Sequence, residues 1–132
     1  MRFSEKYIDH FSNPRGIGEI EAPDLTAEAA HEGGGCFDKV RLTIKTSGDM
    51  IVEARFRARA CSGTIASCSA LVEMVANISL SEAREMTPEA LAEYLGGIPD
   101  KKRHSVELAI RALKTAIGAN LSPESINSNG MT

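Results

Sequence analysis

Four residues of this sequence could act together on a metal or on sulfur: Cys36, Asp38, Cys61 and His104. A cysteine thiolate is both a nucleophile and a soft metal ligand. Imidazole and carboxylate complete a tetrahedral set suited to zinc or to the iron of a cluster. No two of the four form a Cys-x-x-Cys knuckle, so the fold must bring them together. Each stands at a junction between expected elements, where side chains from separate segments can converge. Cys61 lies where a strand gives way to a helix, and the positive end of the helix dipole is expected to favour its thiolate. The remaining cysteine, Cys68, falls on the apolar stripe of that helix and is expected to pack in the core.

Periodicity defines the elements that must position these residues. Residues 39–46 alternate Val40, Leu42 and Ile44 against Lys39, Arg41, Thr43 and Lys45, a strand with one wet face. Ser47-Gly48-Asp49 signals a hairpin, and 50–60 return antiparallel. On that return Ile51, Glu53, Arg55, Arg57 and Arg59 lie on one side, and Val52, Ala54, Phe56 and Ala58 on the other. The entrance of one hairpin strand neighbours the exit of the next, which places Cys36 beside Cys61. From about Thr64 to Ala76 the period becomes three and four, with Ile65, Cys68, Leu71, Val72 and Val75 on one helical stripe. Ser62-Gly63-Thr64 supplies N-cap chemistry ahead of it.

Downstream, Ser79 and Glu82 form a capping box, and Thr87-Pro88 opens another short helix. A long helix is expected over 102–119, with His104 near its start and Val106, Leu108, Ala109, Leu113, Ala116 and Ile117 inward. Upstream, 3–12 is expected to be a helix docked through Phe3, Tyr7, Ile8 and Phe11, and 18–24 a short edge strand. Residues 25–35 show no clear strand period and end in three glycines beside Cys36. The Ser-, Asn- and Gly-rich stretch 120–132 is expected to be a disordered tail. Together these elements predict an α+β domain over 1–119, a small antiparallel sheet of about three strands with helices packed on one face.

A length of 132 residues suits one domain, and a net charge of −3 argues against a nucleic-acid binder. No apolar run is long enough to span a membrane, and the N-terminus lacks the apolar core of a signal peptide, so a cytoplasmic protein is expected. Three cysteines, an odd count in such a chain, point to metal or thiol chemistry before a disulfide framework. There is no Ser/His/Asp or phosphate-loop arrangement and no evident general base for the thiols, so the chain is not expected to be an enzyme. His10 and His31 have no evident partner. Arg55, Arg57 and Arg59 form the wet face of their strand, and Lys101-Lys102-Arg103 is a solvated run.

Four motifs then carry a resemblance. They are Tyr7-Ile8-Asp9-His10-Phe11-x-Asn13-Pro14-Arg15-Gly16, Gly35-Cys36-x-Asp38, Ala60-Cys61-x-Gly63-x-Ile65-Ala66-Ser67-x-Ser69, and Leu95-Gly96-Gly97-Ile98-Pro99-x-x-Lys102-x-His104. In this order, across about residues 3–118, the chain resembles the IscU/NifU-type iron–sulfur cluster scaffold family. The resemblance implies a SufE/NifU-like α+β fold on which a [2Fe–2S] cluster is assembled and passed on. It implies a cysteine desulfurase as sulfur donor, acceptor apoproteins as clients, an Hsp70-type chaperone and a homo-oligomer as further partners, and zinc at the same site as purified. By position, Cys36, Asp38, Cys61 and His104 are the ligands. The family pattern has a further ligand cysteine after the histidine, and this chain has Ser105 there, a weak or lost ligand position. At Pro99-Asp100 it also lacks the two prolines of chaperone-dependent members. A hydroxyl stays protonated where a thiol ionises. The alternative to a scaffold or carrier is therefore a degenerate paralogue with a structural zinc or a regulatory, desulfurase-binding role.

Overall fold

The computed structural model describes residues 3–33 and 36–119, and of Glu32, Cys36 and Ala119 the backbone alone. The disordered tail expected over 120–132 lies outside the described residues. Three strands form one antiparallel sheet in chain order: β1 (Leu25–Gly33), β2 (Cys36–Ser47) and β3 (Met50–Arg59). Helices precede and follow it: α1 (Glu5–Ser12), α2 (Ser62–Val75), α3 (Leu80–Arg84), α4 (Pro88–Tyr94) and α5 (Arg103–Ala119), the last entered through a 3₁₀ turn at Asp100–Lys102. Val40, Leu42, Ile44, Ala54 and Phe56 face inward from the sheet. Leu71, Val75, Leu108, Ala109, Leu113 and Ala116 meet them from α2 and α5, which cover that face. The expected α+β arrangement is thus observed, with the capping box at Ser79/Glu82 and the Thr87 N-cap as anticipated.

Four details differ from the sequence expectation. The third strand is not 18–24 but Leu25–Gly33, paired from Leu25↔Ile44 to Gly33↔Cys36. Its inward positions are filled by Leu25, Ala27 and Ala29. Alanine is small and weakly apolar, so the alternation is faint in sequence, and pairing with β2 supplies what strand propensity does not. Segment 17–24 instead makes a single parallel bridge from Ile17 to Phe56 and then crosses the outer face of the sheet, where the Ile20 N–H donates to Thr43 Oγ1 at 3.1 Å.

The second difference is on β3. Pairing runs in step from Lys39↔Arg59 to Lys45↔Glu53 and then jumps to Thr46↔Ile51, so Val52 is the extra residue of a β-bulge. The bulge reverses the faces beyond it. Ile51 is fully buried and Val52 is 46% exposed, the opposite of strict alternation. The third concerns α1. Tyr7 and His10 are its buried residues, while Phe3, Ile8 and Phe11 are exposed, because the helix docks along α2 by its Tyr7/His10 side. Ser4 caps it, accepting from the Tyr7 N–H at 2.9 Å and donating to the Leu95 carbonyl. The fourth is α2, which begins at Ser62 with Cys61 itself in the N-cap position.

Candidate metal centre

The rim of the sheet where β2 enters and β3 leaves carries the site. Asp38, near the start of β2, is almost fully buried. Its carboxylate accepts from Thr64 Oγ1 at 2.8 Å and from the Cys61 N–H at 3.1 Å, and the Cys61 thiol lies 3.7 Å away. Burial alone would push the Asp38 carboxyl up. The hydrogen bonds from Thr64 and Cys61, with His104 beside it, outweigh burial and hold it below the usual carboxylate range. An ionised, buried carboxylate therefore faces the thiol.

Cys61 caps α2 by backbone alone. Its carbonyl accepts from the Thr64 and Ile65 N–H groups, and its side chain makes no cap bond. The sulfur is thus free of a capping duty. His104, on the first turn of α5, brings Nε2 to 3.3 Å from Asp38 Oδ2. This is an ion-pair separation without hydrogen-bond alignment: the buried Nε2 has no hydrogen-bond partner. A buried ring nitrogen left so is uncommon, and its free lone pair or N–H fits a donor role toward a ligand. One carboxylate oxygen of Asp38, Cys61 Sγ and one ring nitrogen of His104 lie within 4.8 Å of one another. That donor set suits zinc or iron.

Local sequence explains the convergence. Gly63 lets the first turns of α2 and α5 approach: a Cβ there would stand 2.7 Å from Ser105 Oγ and 3.2 Å from Lys102 Cδ. Ser105 is fully buried, with its Oγ 3.2 Å from Thr64 Oγ1 and 3.8 Å from Cys61 Sγ. Its hydroxyl is therefore bonded into the site. Ser105, expected from the sequence to be a weak or lost ligand position, thus faces the Cys61 sulfur.

Asp38, Cys61 and His104 thus come together as the sequence suggested, with Ser105 beside them. Cys36 opens β2 at the same end of the sheet, paired with Gly33, and its side chain lies outside the described residues. Sequence reasoning missed two neighbours. Thr64 is buried and binds Asp38. His31, opposite Asp38 in the β1–β2 register, stacks its ring on His104 at 4.5 Å and 21°. Only a correct β1 could have revealed His31, since it lies 73 positions before its partner.

Two other titratable groups are set apart from this rim. Burial pushes the Cys68 thiol up to about 12, which keeps it protonated and inert in the core. His10 is buried between α1 and α2, with Nδ1 2.7 Å from Ser69 Oγ and Nε2 3.2 Å from Glu73 Oε1. Ser69 Oγ also accepts the Arg15 N–H at 2.9 Å, so its own hydrogen is available to Nδ1 and the imidazole proton faces Glu73. Burial is the chief reason that the His10 pKa is lowered, with Arg15 adding to it and Glu73 opposing. A lowered histidine pKa means that the folded state prefers the neutral ring. Its stabilising share is complete above the unfolded value near 6.5 and is lost as pH falls below it toward the folded pKa. Thermal unfolding followed from pH 7.5 down to about 5 should therefore show a steeper fall in Tm for the wild type than for His10→Gln. Equal slopes would remove His10 as a source of acid sensitivity.

Residues 2–124 match the NifU-like N terminal domain family. The iron–sulfur cluster assembly scaffold protein IscU of Escherichia coli is 39% identical over 119 residues, covering 89% of this chain and 92% of that protein. An IscU scaffold protein of Archaeoglobus fulgidus is 36% identical over 115 residues, covering 87% of this chain and 74% of the relative. Among solved structures, the N-terminal part of a NifU-like protein from Brucella abortus superposes with a TM-score of 0.65 at 22% identity, over 86% of this chain and 90% of that one, a likeness of fold.

Proposed function

The chain belongs to the NifU-like N-terminal domain family, and from that premise we propose that it is an iron–sulfur cluster assembly scaffold or carrier. In this role Cys61, Asp38 and His104, with Cys36 from the neighbouring strand entrance, hold iron or a [2Fe–2S] cluster as cargo. The observation that carries the proposal is the convergence at one rim, within 4.8 Å, of a thiol, an ionised carboxylate and an imidazole whose Nε2 makes no hydrogen bond. Thiolate supplies the strong bond to iron. The carboxylate is a harder, more weakly held donor for a soft cluster, and its presence keeps the cargo labile enough to leave. The stacked His31 ring and the Thr64 hydroxyl hold His104 and Asp38 in place, as outer groups commonly do around ligands. Zinc, which takes the same donors, is the expected occupant of protein purified aerobically.

The chain has no helix among its described residues long and apolar enough to cross a membrane. The scaffold role calls for protein partners on either side of the cargo. Those partners are a cysteine desulfurase as sulfur source and acceptor apoproteins as clients. The test is anaerobic reconstitution with ferrous iron and sulfide. Visible sulfur-to-iron absorption is expected, and a correctly folded protein that stays colourless would overturn the scaffold role.

Ser105 favours the second reading, a paralogue that keeps zinc or binds the desulfurase without carrying a cluster. Its hydroxyl sits 3.8 Å from Cys61 Sγ, so Ser105→Cys adds a sulfur where a further ligand belongs. Zinc affinity should rise on the order of tenfold or more, and a reconstituted cluster should persist longer. Zinc competition and decay of visible absorbance measure the two effects. A gain in zinc alone favours the structural-zinc paralogue, and no gain in either means that the serine site is already complete.

A further inference from the structure

The outer face of the sheet carries a charge pattern that the metal centre does not use. Lys39 stands directly across from Arg59, and Arg41 directly across from Arg57. Like charges opposite each other on one face of an antiparallel pair are unfavourable, and here two such pairs are adjacent. The four cations, with Glu28 and Ala58, line an open concavity of about 290 Å³. Their own counter-ions are few. Glu28 reaches Arg41 at 3.1 Å and Lys39 at 3.9 Å, and Glu19 reaches Arg41 at 2.8 Å and Arg57 at 3.3 Å. Among the described side chains Arg59 has no ion-pair partner and two carboxylates serve the four cations, on a chain whose net charge is −3.

The location gives the pattern a use. Segment 17–24 crosses the outer face over Thr43, and among the described residues Lys39, Arg57 and Arg59 stay exposed at this end of the sheet. Lys39 follows Asp38 in the chain, and Arg59 precedes Cys61 by two residues, a separation of about 7 Å in extended backbone. A molecule held by the four cations would stand at the edge of the metal centre. A concentrated positive patch on an acidic protein selects an anionic partner and speeds its approach.

We propose that the Lys39–Arg41–Arg57–Arg59 square is a docking site for an acidic, carboxylate-bearing segment of a partner protein that works at the adjoining metal centre. It rests on the scaffold reading for the partner's purpose, while the docking itself needs no metal. The spread of the cations over two strands, with no enclosed cradle, matches several carboxylates along a peptide better than one small anion.

The test is a titration of metal-free full-length protein with a fluorescent octaglutamate peptide, followed by anisotropy at about 20 mM and about 300 mM salt. Binding should be clear at low salt and weaken at high salt. Arg57→Glu/Arg59→Glu should weaken it about tenfold or more, while the charge-matched pair Arg84→Glu/Lys114→Glu, on the helical side, should leave it nearly unchanged. Arg59→Gln should leave Tm unchanged or higher, because it relieves repulsion from Lys39; a lower Tm would mark Arg59 as a structural residue and overturn the assignment. Equal losses in the two double variants, no octaglutamate binding, or tighter binding of an eight-residue oligothymidylate would also overturn it, the last by assigning the patch to phosphate. Failure here would leave zinc and cluster binding standing, and failure of those would leave this titration standing.

Discussion

Cys61→Ser is expected to lower zinc affinity by on the order of 100-fold or more and to leave anaerobically reconstituted protein colourless. The thiolate is the softest donor of the Asp38, Cys61 and His104 set, and serine at position 61 would offer a hydroxyl that stays protonated at neutral pH. The substitution should do this without unfolding the chain. The Cys61 side chain makes no helix-cap bond, and the cap is formed by its carbonyl with the Thr64 and Ile65 N–H groups, which a serine keeps. Competition against a calibrated zinc chelator measures the affinity, and thermal unfolding of the metal-free protein measures the fold. Unchanged zinc affinity in a folded Cys61→Ser protein would move the metal elsewhere and sink the proposed site.

The second large effect concerns stability. Ile51→Ala should destabilise the protein by about 2–5 kcal/mol, whereas Val52→Ala should change it by no more than about 0.5 kcal/mol. Ile51 is fully enclosed, so its truncation loses buried apolar contact and leaves a cavity. Val52 stands 46% exposed on the bulge. Urea unfolding of the two variants separates them, with the slope m expected to stay constant in both. A larger cost at Val52 than at Ile51 would mean that β3 keeps strict alternation and that the bulge is absent.

The same pair of residues marks where sequence reasoning stops. From Ala54 to Arg59 the alternation is correct, and Arg55, Arg57 and Arg59 do face outward. One bulged residue between the Lys45 and Thr46 pairings inverts the phase before it, and no residue type signals that insertion. The failure at α1 is of the same kind. Phe3, Tyr7, Ile8 and Phe11 are the hydrophobic choice for a docking face, yet the helix turns His10 inward. Ser69 and Glu73, 59 and 63 positions along the chain, satisfy both ring nitrogens. Burying a histidine is costly unless such partners exist, and partners that distant cannot be seen from a local window. In β1, the alternation of Leu25, Ala27 and Ala29 was present but faint, because alanine contributes little apolar contrast.

By itself the sequence determined the hairpin of β2 and β3, the capped helices after it, the core position of Cys68 and the candidate set of Cys36, Asp38, Cys61 and His104. Each follows from periodicities of two or 3.6, from cap residues a few positions apart, or from motifs that keep their order along the chain. Tertiary structure alone decided which faces are buried past the bulge, that His31 stacks on His104, and that Ser105 faces the Cys61 sulfur. These depend on the packing of α5 against α2 and of β1 against β2, between residues dozens of positions apart, where close approach is set by steric fit at Gly63 and by strand register rather than by any local preference of the chain.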